Sequence, residues 1–282
     1  MAMKTILVPF PISGSVQPVL QTAHAFASRF GAHMEGVILE IFASDFMAVD
    51  GFGGGWLPPS TKPTEDLARD CRSAFEDFMK AKGVPMASAG AGTGALSYRW
   101  CEDKTLFQGS IAEYSRIFDI IVFAAPTGDV PPMQQVALET TLFESGRPIL
   151  VAPAKPIAKV GEQVMIAWNG STESALTTAL AMPVLQQAKR VVVLTVEGGT
   201  VPGPAGKDLA RHLVANGIAT EERTVAPGKM TTGEKILAEA VDLGCDLIIK
   251  GAYTQSRLRQ MIFGGATRHI LSHSPVPVFM AH

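Results

Sequence analysis

Residues 245–254, CDLIIKGAYT, decide the fold because residues 118–127, FDIIVFAAPT, repeat their pattern. Each segment places an Asp before a short apolar run, which is typical of a buried strand in a parallel sheet. Each is followed by a polar loop, a helix-like segment and a Pro-led apolar run, PILVA at 148–152 and PVFMA at 277–281. We therefore interpret the second half of the chain as a repeat of the first.

Strand-like runs alternate with segments of helical periodicity throughout both halves. Such alternation predicts right-handed crossovers and parallel sheets that carry helices on both faces. We therefore expect an α/β fold of two tandem, doubly wound, parallel five-stranded sheets flanked by helices, which is a Rossmann-like architecture.

The predicted domain boundary lies at residues 153–162, PAKPIAKVGE, where prolines and mixed charges interrupt the periodic pattern. We assign residues 1–154 to an N-terminal domain and residues 160–282 to a C-terminal domain. The separation along the chain between the first strands of the two halves exceeds that between the repeated segments 118–127 and 245–254 by about 30 residues. The N-terminal half therefore carries extra length. It includes the Gly/Pro-rich insertion at 42–63, and the small-residue run ASAGAGTG at 87–94 is a further candidate location. The insertion either shapes a pocket or partner surface or is a surface loop.

The composition excludes two classes of protein. The chain has 282 residues, 47% hydrophobic and 18% charged, and no apolar stretch approaches the roughly 18 residues of a membrane span. The net charge is −2, and the 24 Lys and Arg residues are scattered along the chain. We therefore expect neither a membrane protein nor a nucleic-acid-binding protein.

The cysteines and the first residues indicate the compartment. Cys71, Cys101 and Cys245 are widely spaced and form no C-x-x-C pair, which favours free thiols in a reducing compartment. The start, MAMKTILVPF, passes from one Lys into a short strand-like run and lacks a signal-peptide core. We therefore expect a cytoplasmic protein.

Ligands of doubly wound sheets bind where the strand order reverses, so candidate sites lie at the ends of the first and fourth strands of each half. In the second half, Asn169 and Gly170 form the turn after the first strand, Gly251 ends the fourth, and Gly264 and Gly265 precede a helix. A glycine-rich helix start offers unpaired N–H groups and close backbone approach to a phosphate. The same glycines also fit an ordinary strand–turn–helix connection, so both interpretations stay open at this point.

The paired halves and their terminal strands resemble tandem universal stress proteins over nearly the whole chain. Nucleotide-binding members of that family carry G-x-x-G, nine residues, and then G followed by Ser or Thr after the fourth strand. Here Gly251 matches the first Gly and Gly264 the third, whereas Thr254 replaces the second and Gly265 stands in the Ser/Thr place. Asn169 occupies the place of a family Asp that contacts the adenine or ribose.

The resemblance implies that the C-terminal half binds an adenine nucleotide, ATP, and leaves open whether Mg²⁺ accompanies it. Ser256 or Thr267 would supply the hydroxyl that Gly265 lacks, and Asn169 both donates and accepts hydrogen bonds. The implied contact residues are Asn169, Gly170, Gly251, Thr254, Ser256, Gly264, Gly265, Ala266 and Thr267.

The role of the arginines in this loop is open, and the first half lacks the glycines of the motif. Arg257 and Arg259 either reach the phosphates or solvate the loop. In the first half Ala124 stands opposite Gly251, and Gln135 and Val136 stand opposite the glycine pair, so we expect that half to lack a phosphate cradle.

No catalytic or metal signature stands out. G-x-S-x-G and G-x-x-x-x-G-K-[ST] are absent, and His269 and His273 lack the acid of an H-E-x-x-H zinc site. The resemblance implies a stress-response nucleotide-binding protein, and the missing signatures lead us to expect that it is not an enzyme. One alternative is an interaction module of the same fold without nucleotide. An enzyme of the wider adenine-nucleotide α-hydrolase group ranks last, because its S-G-G-x-D-S and H-x-G-H signatures are missing.

The resemblance also implies an assembly. Terminal strands of two such domains pair, so RPILVAP and VPVFMAH are expected to meet within one chain as an intramolecular pseudo-dimer. Whether two chains then form a homodimer is left open by the sequence.

Overall fold

The computed structural model describes residues 3–10, 16–39, 65–87, 95–102, 111–126, 132–252 and 265–282. The strands in these ranges are β1 Thr5–Phe10, β2 His33–Ile38, β3 Ser97–Trp100, β4 Ile120–Ala124, β5 Ile149–Ala152, β6 Gln163–Ala167, β7 Arg190–Val196, β8 Thr220–Val225, β9 Leu247–Gly251 and β10 Val278–Ala281. The helices are α1 Gln17–Phe30, α2 Glu65–Ala81, α3 Ile111–Ser115, α4 Pro132–Glu144, α5 Thr172–Leu180, α6 Met182–Leu185, α7 Gly206–Ala215, α8 Thr232–Asp242 and α9 Gly265–His273.

Local sequence explains where several helices begin and end. α1 ends at Gly31, whose φ of 54° is a left-handed conformation that glycine adopts without strain. The Ser171 side chain accepts from the Ser174 N–H and caps α5. α8 begins with a reciprocal capping box between Thr231 and Glu234.

One predicted helix is wrong in its extent. The sequence STESALTTALAMPVLQQA predicts a single helix, but the structure divides it into α5 and α6 at Ala181. Pro183 supplies the physical reason, because proline has no backbone N–H and its ring collides with the carbonyl of the preceding turn.

All ten strands of the described ranges form one sheet, in the order β3-β2-β1-β4-β5-β10-β9-β6-β7-β8. Pairing within each half is parallel, whereas β5 and β10 pair antiparallel, with Leu150 opposite Phe279. The prediction of two five-stranded sheets therefore needs one correction, since the terminal strands join them into a single sheet. The expected meeting of the two Pro-led strands is present.

Helices cover both faces of this sheet, as the sequence predicts. On one face Phe26 of α1, Phe75 of α2 and Leu213 of α7 pack into the same hydrophobic cluster. On the other face Leu142 of α4 and Ile270 of α9 belong to a second cluster. Both clusters include side chains from both halves, so on each face of the sheet the core continues from one half into the other.

Each half has the strand order 3-2-1-4-5, and the order reverses between β1 and β4 and between β6 and β9. These are the two places at which the sequence predicts ligand sites. The assignment of residues 1–154 and 160–282 to separate domains stays a prediction. The insertion at 42–63 lies outside the described residues. Within the described ranges, no helix is both long and apolar enough to cross a membrane.

Candidate functional site

The carboxyl ends of β6 and β9 meet at one edge of the sheet. Ala167 of β6 lies opposite Lys250 of β9 in the parallel register, so the residues that follow the two strands emerge side by side. The candidate site is therefore built from the turn after β6, the end of β9 and the first turn of α9.

The Asn169–Gly170 turn forms one part of this site. The Asn169 Oδ1 atom accepts the Ser171 N–H at 3.2 Å, and the Asn169 carbonyl accepts the Val201 N–H at 2.9 Å. Gly170 has a φ of 82°, which requires glycine or costs strain. A Cβ on Gly203 would lie 2.1 Å from the Gly170 carbonyl oxygen, so the segment around Gly203 packs directly on the turn.

A cavity of about 370 Å³ lies beside this turn, at the carboxyl ends of β6, β7 and β8. Such a volume is within the range of small-molecule pockets. The Trp168 indole closes one wall and donates from Nε1 to the Pro204 carbonyl at 2.8 Å. The Oγ1 atom of Thr195 is buried and has no hydrogen-bond partner among the described residues. Other polar lining side chains are those of Asn169, Lys207, Glu222 and Thr224.

Gly251, at the end of β9, is a glycine for a packing reason. A Cβ there would lie 2.4 Å from the Ser174 backbone nitrogen and 2.6 Å from the Glu173 carbonyl carbon. The first turn of α5 therefore rests directly on the β9 backbone. This close approach of helix and strand explains Gly251 without a ligand.

No described residue covers the first residue of α9. A Cβ on Gly265 would meet no described atom within 4 Å, and the residue is exposed. Ala266 packs against α8, because a Cβ on Gly233 would lie 3.1 Å from the Ala266 Cα. Thr267 is buried, with 5% of its surface exposed. The helix start is thus fixed on its inner side and accessible at Gly265.

Lys250 is a functional candidate that the sequence analysis missed. Its Nζ atom donates to the Gly251 carbonyl at 2.7 Å and to the Thr267 Oγ1 atom at 2.9 Å. Burial lowers the pKa of Lys250 to about 8, and the Glu173 carboxylate opposes that shift. The available signal was a lysine inside the apolar run DLIIKGA, where a charge is rare unless it has a partner.

Glu173 and His282 lie close to this lysine. The Thr172 hydroxyl donates to Glu173 Oε1 at 3.0 Å, whereas Oε2 is buried without a hydrogen-bond partner among the described residues. Burial acts to raise the pKa of Glu173, but hydrogen bonds from its own backbone N–H, Ser171 and Thr172, together with the His282 charge, lower it. His282 lies 3.0 Å, by its Nδ1 atom, from the Ala252 carbonyl oxygen.

The other residues singled out in the sequence lie either outside the described ranges or away from this site. Thr254, Ser256 and Gly264 lie outside the described residues, as do Arg257 and Arg259. In the first half, Ala124 ends β4 and Gln135 and Val136 lie inside α4.

Over the described ranges, no group of three His, Cys, Asp or Glu side chains is placed to hold a metal ion. The rings of His269 and His273 stack on α9 with centroids 4.4 Å apart.

Comparison with known proteins shows what this arrangement resembles. The model of the universal stress protein family matches residues 162–282. A universal stress protein from Archaeoglobus fulgidus DSM 4304 superposes with a TM-score of 0.66 and 14% identity, covering 99% of this chain and 96% of that one. A putative universal stress protein from Pseudomonas aeruginosa UCBPP-PA14 gives a TM-score of 0.54 and 14% identity, covering 99% and 93%. No curated protein matches the chain in sequence. At these identities the structural likeness shows the fold alone.

Proposed function

Residues 162–282 match the universal stress protein family, and on this premise we propose that the chain is a stress-response protein that binds an adenine nucleotide, ATP, in its C-terminal half. One observation carries the proposal. The strand order reverses between β6 and β9, and the N-terminus of α9 stands at that same edge beside the ammonium group of Lys250.

The α9 end of the site fits the phosphates of such a ligand. The first N–H groups of a helix have no intrahelical acceptor, and they carry the positive end of the helix dipole. Gly265 leaves space for an anion to approach these groups, and Lys250 adds a positive charge behind them. Both features favour a phosphate over a neutral group.

The β6 side of the site fits the nucleoside end. The cavity beside Asn169 has the volume of a small-molecule pocket, and its wall includes the Trp168 indole. The buried Thr195 hydroxyl has no partner within the described part of the chain, and Glu222 adds an acceptor. These groups offer hydrogen bonds to a base or ribose bound in the cavity.

We propose that the bound nucleotide acts as a signal or a stabiliser rather than as a substrate of rapid turnover. The sequence supports this because it carries neither the G-x-S-x-G nor the G-x-x-x-x-G-K-[ST] signature. Steady release of phosphate from ATP by the purified protein, lost in the variants below, would contradict this part of the proposal.

The test uses a charge change at the helix start. Gly265→Asp places a carboxylate where the phosphate is proposed to bind, and Gly265→Asn has nearly the same shape without the charge. An acid at a helix N-terminus stabilises the helix by about 0.3–1 kcal/mol, so Gly265→Asp should fold at least as well as the natural protein. A ligand at a hundred times its Kd adds about 2.7 kcal/mol of stability.

We expect ATP to raise the melting temperature of the natural protein and of Gly265→Asn, and to leave that of Gly265→Asp unchanged. Mass spectrometry of the denatured natural protein should also detect co-purified adenine nucleotide. Equal ATP-induced shifts in Gly265→Asp and Gly265→Asn would show that the phosphate does not bind at α9.

A second candidate is an interaction module of the same fold that holds no nucleotide. Two observations favour it: Gly251 is explained by helix packing, and the segment around Gly203 covers the Gly170 turn. The absence of both co-purified nucleotide and any thermal shift with ATP, ADP, AMP or cyclic AMP would select this candidate.

A further inference from the structure

Lys250 occupies a place where a positive charge is unfavourable. Its ammonium group is partly buried, and it contacts Thr267 in the first turn of α9, which carries the positive end of the helix dipole. A cation near that end of a helix is repelled rather than attracted. Burial adds a second cost, because it removes water from the charge.

The described protein groups do not neutralise this charge at contact distance. Lys250 forms no salt bridge with a described carboxylate, and its two hydrogen-bond acceptors, the Gly251 carbonyl and the Thr267 hydroxyl, are neutral. The Glu173 carboxylate acts on it only through a longer-range attraction. Among the described residues the ammonium group thus has no anionic partner at contact distance, and an anion bound at the start of α9 would supply one.

The geometry leaves Lys250 able to bind that anion. An ammonium group has three N–H donors, and the contacts with Gly251 and Thr267 use two of them. Thr267 is buried and is the third residue of α9, so its hydroxyl holds the ammonium group beside the helix start. No described residue accepts from the third N–H, which can then donate to a phosphate oxygen that also accepts from the first N–H groups of α9.

We propose that Lys250, positioned by Thr267, is the residue that makes this site select ligands with a phosphate chain over unphosphorylated ones. The inference rests on the proposed nucleotide binding, which it deepens by naming the group that reads the phosphates. Hydrogen bonds between charged groups contribute about 1.5–3 kcal/mol, so loss of the ammonium group should weaken phosphate-chain binding about 10- to 100-fold.

The experiment compares Lys250→Met with Lys155→Met. Methionine is close to lysine in length, so Lys250→Met removes the charge with little change in packing. Lys155 is exposed and follows β5, whose carboxyl end lies at the opposite edge of the sheet because β5 runs antiparallel to β10. Lys155→Met therefore changes the net charge equally without touching the site. Calorimetric titration with ATP, AMP, adenosine and inorganic triphosphate supplies the readout.

We expect Lys155→Met to bind ATP and inorganic triphosphate each with the same affinity as the natural protein does, and both proteins to bind ATP more tightly than inorganic triphosphate. Lys250→Met should bind both about 10- to 100-fold more weakly while its affinity for adenosine stays the same, and Lys250→Arg should recover part of the loss. Thr267→Val should weaken ATP binding less than Lys250→Met does. A melting temperature of Lys250→Met that equals or exceeds that of the natural protein excludes unfolding as the cause.

The outcomes separate the two proposals. If ATP and inorganic triphosphate bind equally well and adenosine not at all, the adenine part of the proposed function fails while the role of Lys250 stands. If Lys250→Met keeps the natural ratio of ATP to adenosine affinity, the role of Lys250 is wrong and nucleotide binding stands. If the natural protein binds none of the four probes, both are overturned.

Discussion

Asp119 and Asp246 each hold the first strand of their own half. The Asp119 carboxylate accepts from the backbone N–H groups of Lys4 at 2.7 Å and Thr5 at 3.0 Å. The Asp246 carboxylate accepts from the backbone N–H groups of 161–163 at 2.8 to 3.1 Å. Each Asp precedes the fourth strand of its half, so it ties that strand to the start of the first, where the strand order reverses. The Asp that opens each repeated segment is thus explained by the satisfaction of backbone donors.

Replacing Asp246 should destabilise the protein without affecting the ligand site, which lies at the other edge of the sheet. Asp246→Ala leaves three backbone N–H groups without their acceptor, and we expect a loss of about 2–4 kcal/mol in the free energy of unfolding. Asp246→Asn keeps one acceptor oxygen and should lose less. Urea unfolding curves measure both, and equal losses for the two variants would contradict this account.

Much of the fold is predictable because local sequence and global fold agree. The buried strands β4 and β9 appear as apolar runs between turn residues, and Gly31 marks the end of α1. The joining of the two sheets into one is not predictable from local sequence. It depends on the antiparallel pairing of β5 with β10, which are far apart in the chain. Only the resemblance to tandem proteins indicated it. The break in the helix at Ala181 does have a local signal, which is Pro183 two residues later.

Gly251 and Gly265 belong to the same sequence motif, but they should respond oppositely to a methyl group. Gly251→Ala places a Cβ 2.4 Å from the Ser174 backbone nitrogen, so strand or helix must shift, at a cost of about 1–3 kcal/mol or more. Gly265→Ala meets no described atom within 4 Å and should leave stability unchanged or raise it by about 0.5 kcal/mol. Thermal melts of the two variants without ligand measure the contrast. Equal melting temperatures would show that α5 does not rest on β9 as described.

The site was less predictable than the fold because residue type alone does not reveal why a residue is there. A glycine after a strand has the same letter whether it accommodates a phosphate or a helix, and at Gly251 the packing of α5 accounts for it. The contact of Lys250 with Thr267 joins a strand end to a helix start, and only the packed structure brings them together. The cover over Gly170 comes from a segment more than thirty residues later, which no local pattern encodes.

A buried polar group in the first half should respond strongly to the loss of one partner. Glu35 of β2 is 2% exposed, and it accepts from Arg99 Nε at 2.6 Å and from the Tyr114 hydroxyl. Burial raises the pKa of Tyr114, with the Glu35 carboxylate adding to the effect, so the phenol stays a donor at neutral pH. Removing the guanidinium would leave the Tyr114 hydroxyl, a neutral group, as the carboxylate's one side-chain donor among the described residues.

Arg99→Met should therefore lower the free energy of unfolding by about 2 kcal/mol, less than for a fully buried pair because the Arg99 side chain is 42% exposed. Adding Glu35→Gln to Arg99→Met removes the unpaired charge and should restore part of the loss. Chemical denaturation of the two single variants and the double variant gives the coupling energy. A double variant less stable than Arg99→Met would contradict the charge argument.

The pH dependence of stability should report the cost of the Lys250 charge. Its folded-state pKa of about 8 lies below the ordinary lysine value of 10.5, with burial as the main cause and Glu173 opposing it. Between these pH values the unfolded chain keeps the proton and the folded chain loses it, so this group makes stability rise with pH. Below about pH 8 both states are protonated, and the full penalty, about 3 kcal/mol, is present.

Lys250→Met removes that penalty, so without ligand it should be more stable than the natural protein at pH 7.5. The difference between the two proteins should shrink as pH rises towards 10, because the natural protein then sheds its buried charge on folding. Urea unfolding of both proteins at several pH values measures the difference, and the titration of all other groups cancels in it. A difference that stays constant or grows with pH would show that Lys250 is not held in an unfavourable charged state.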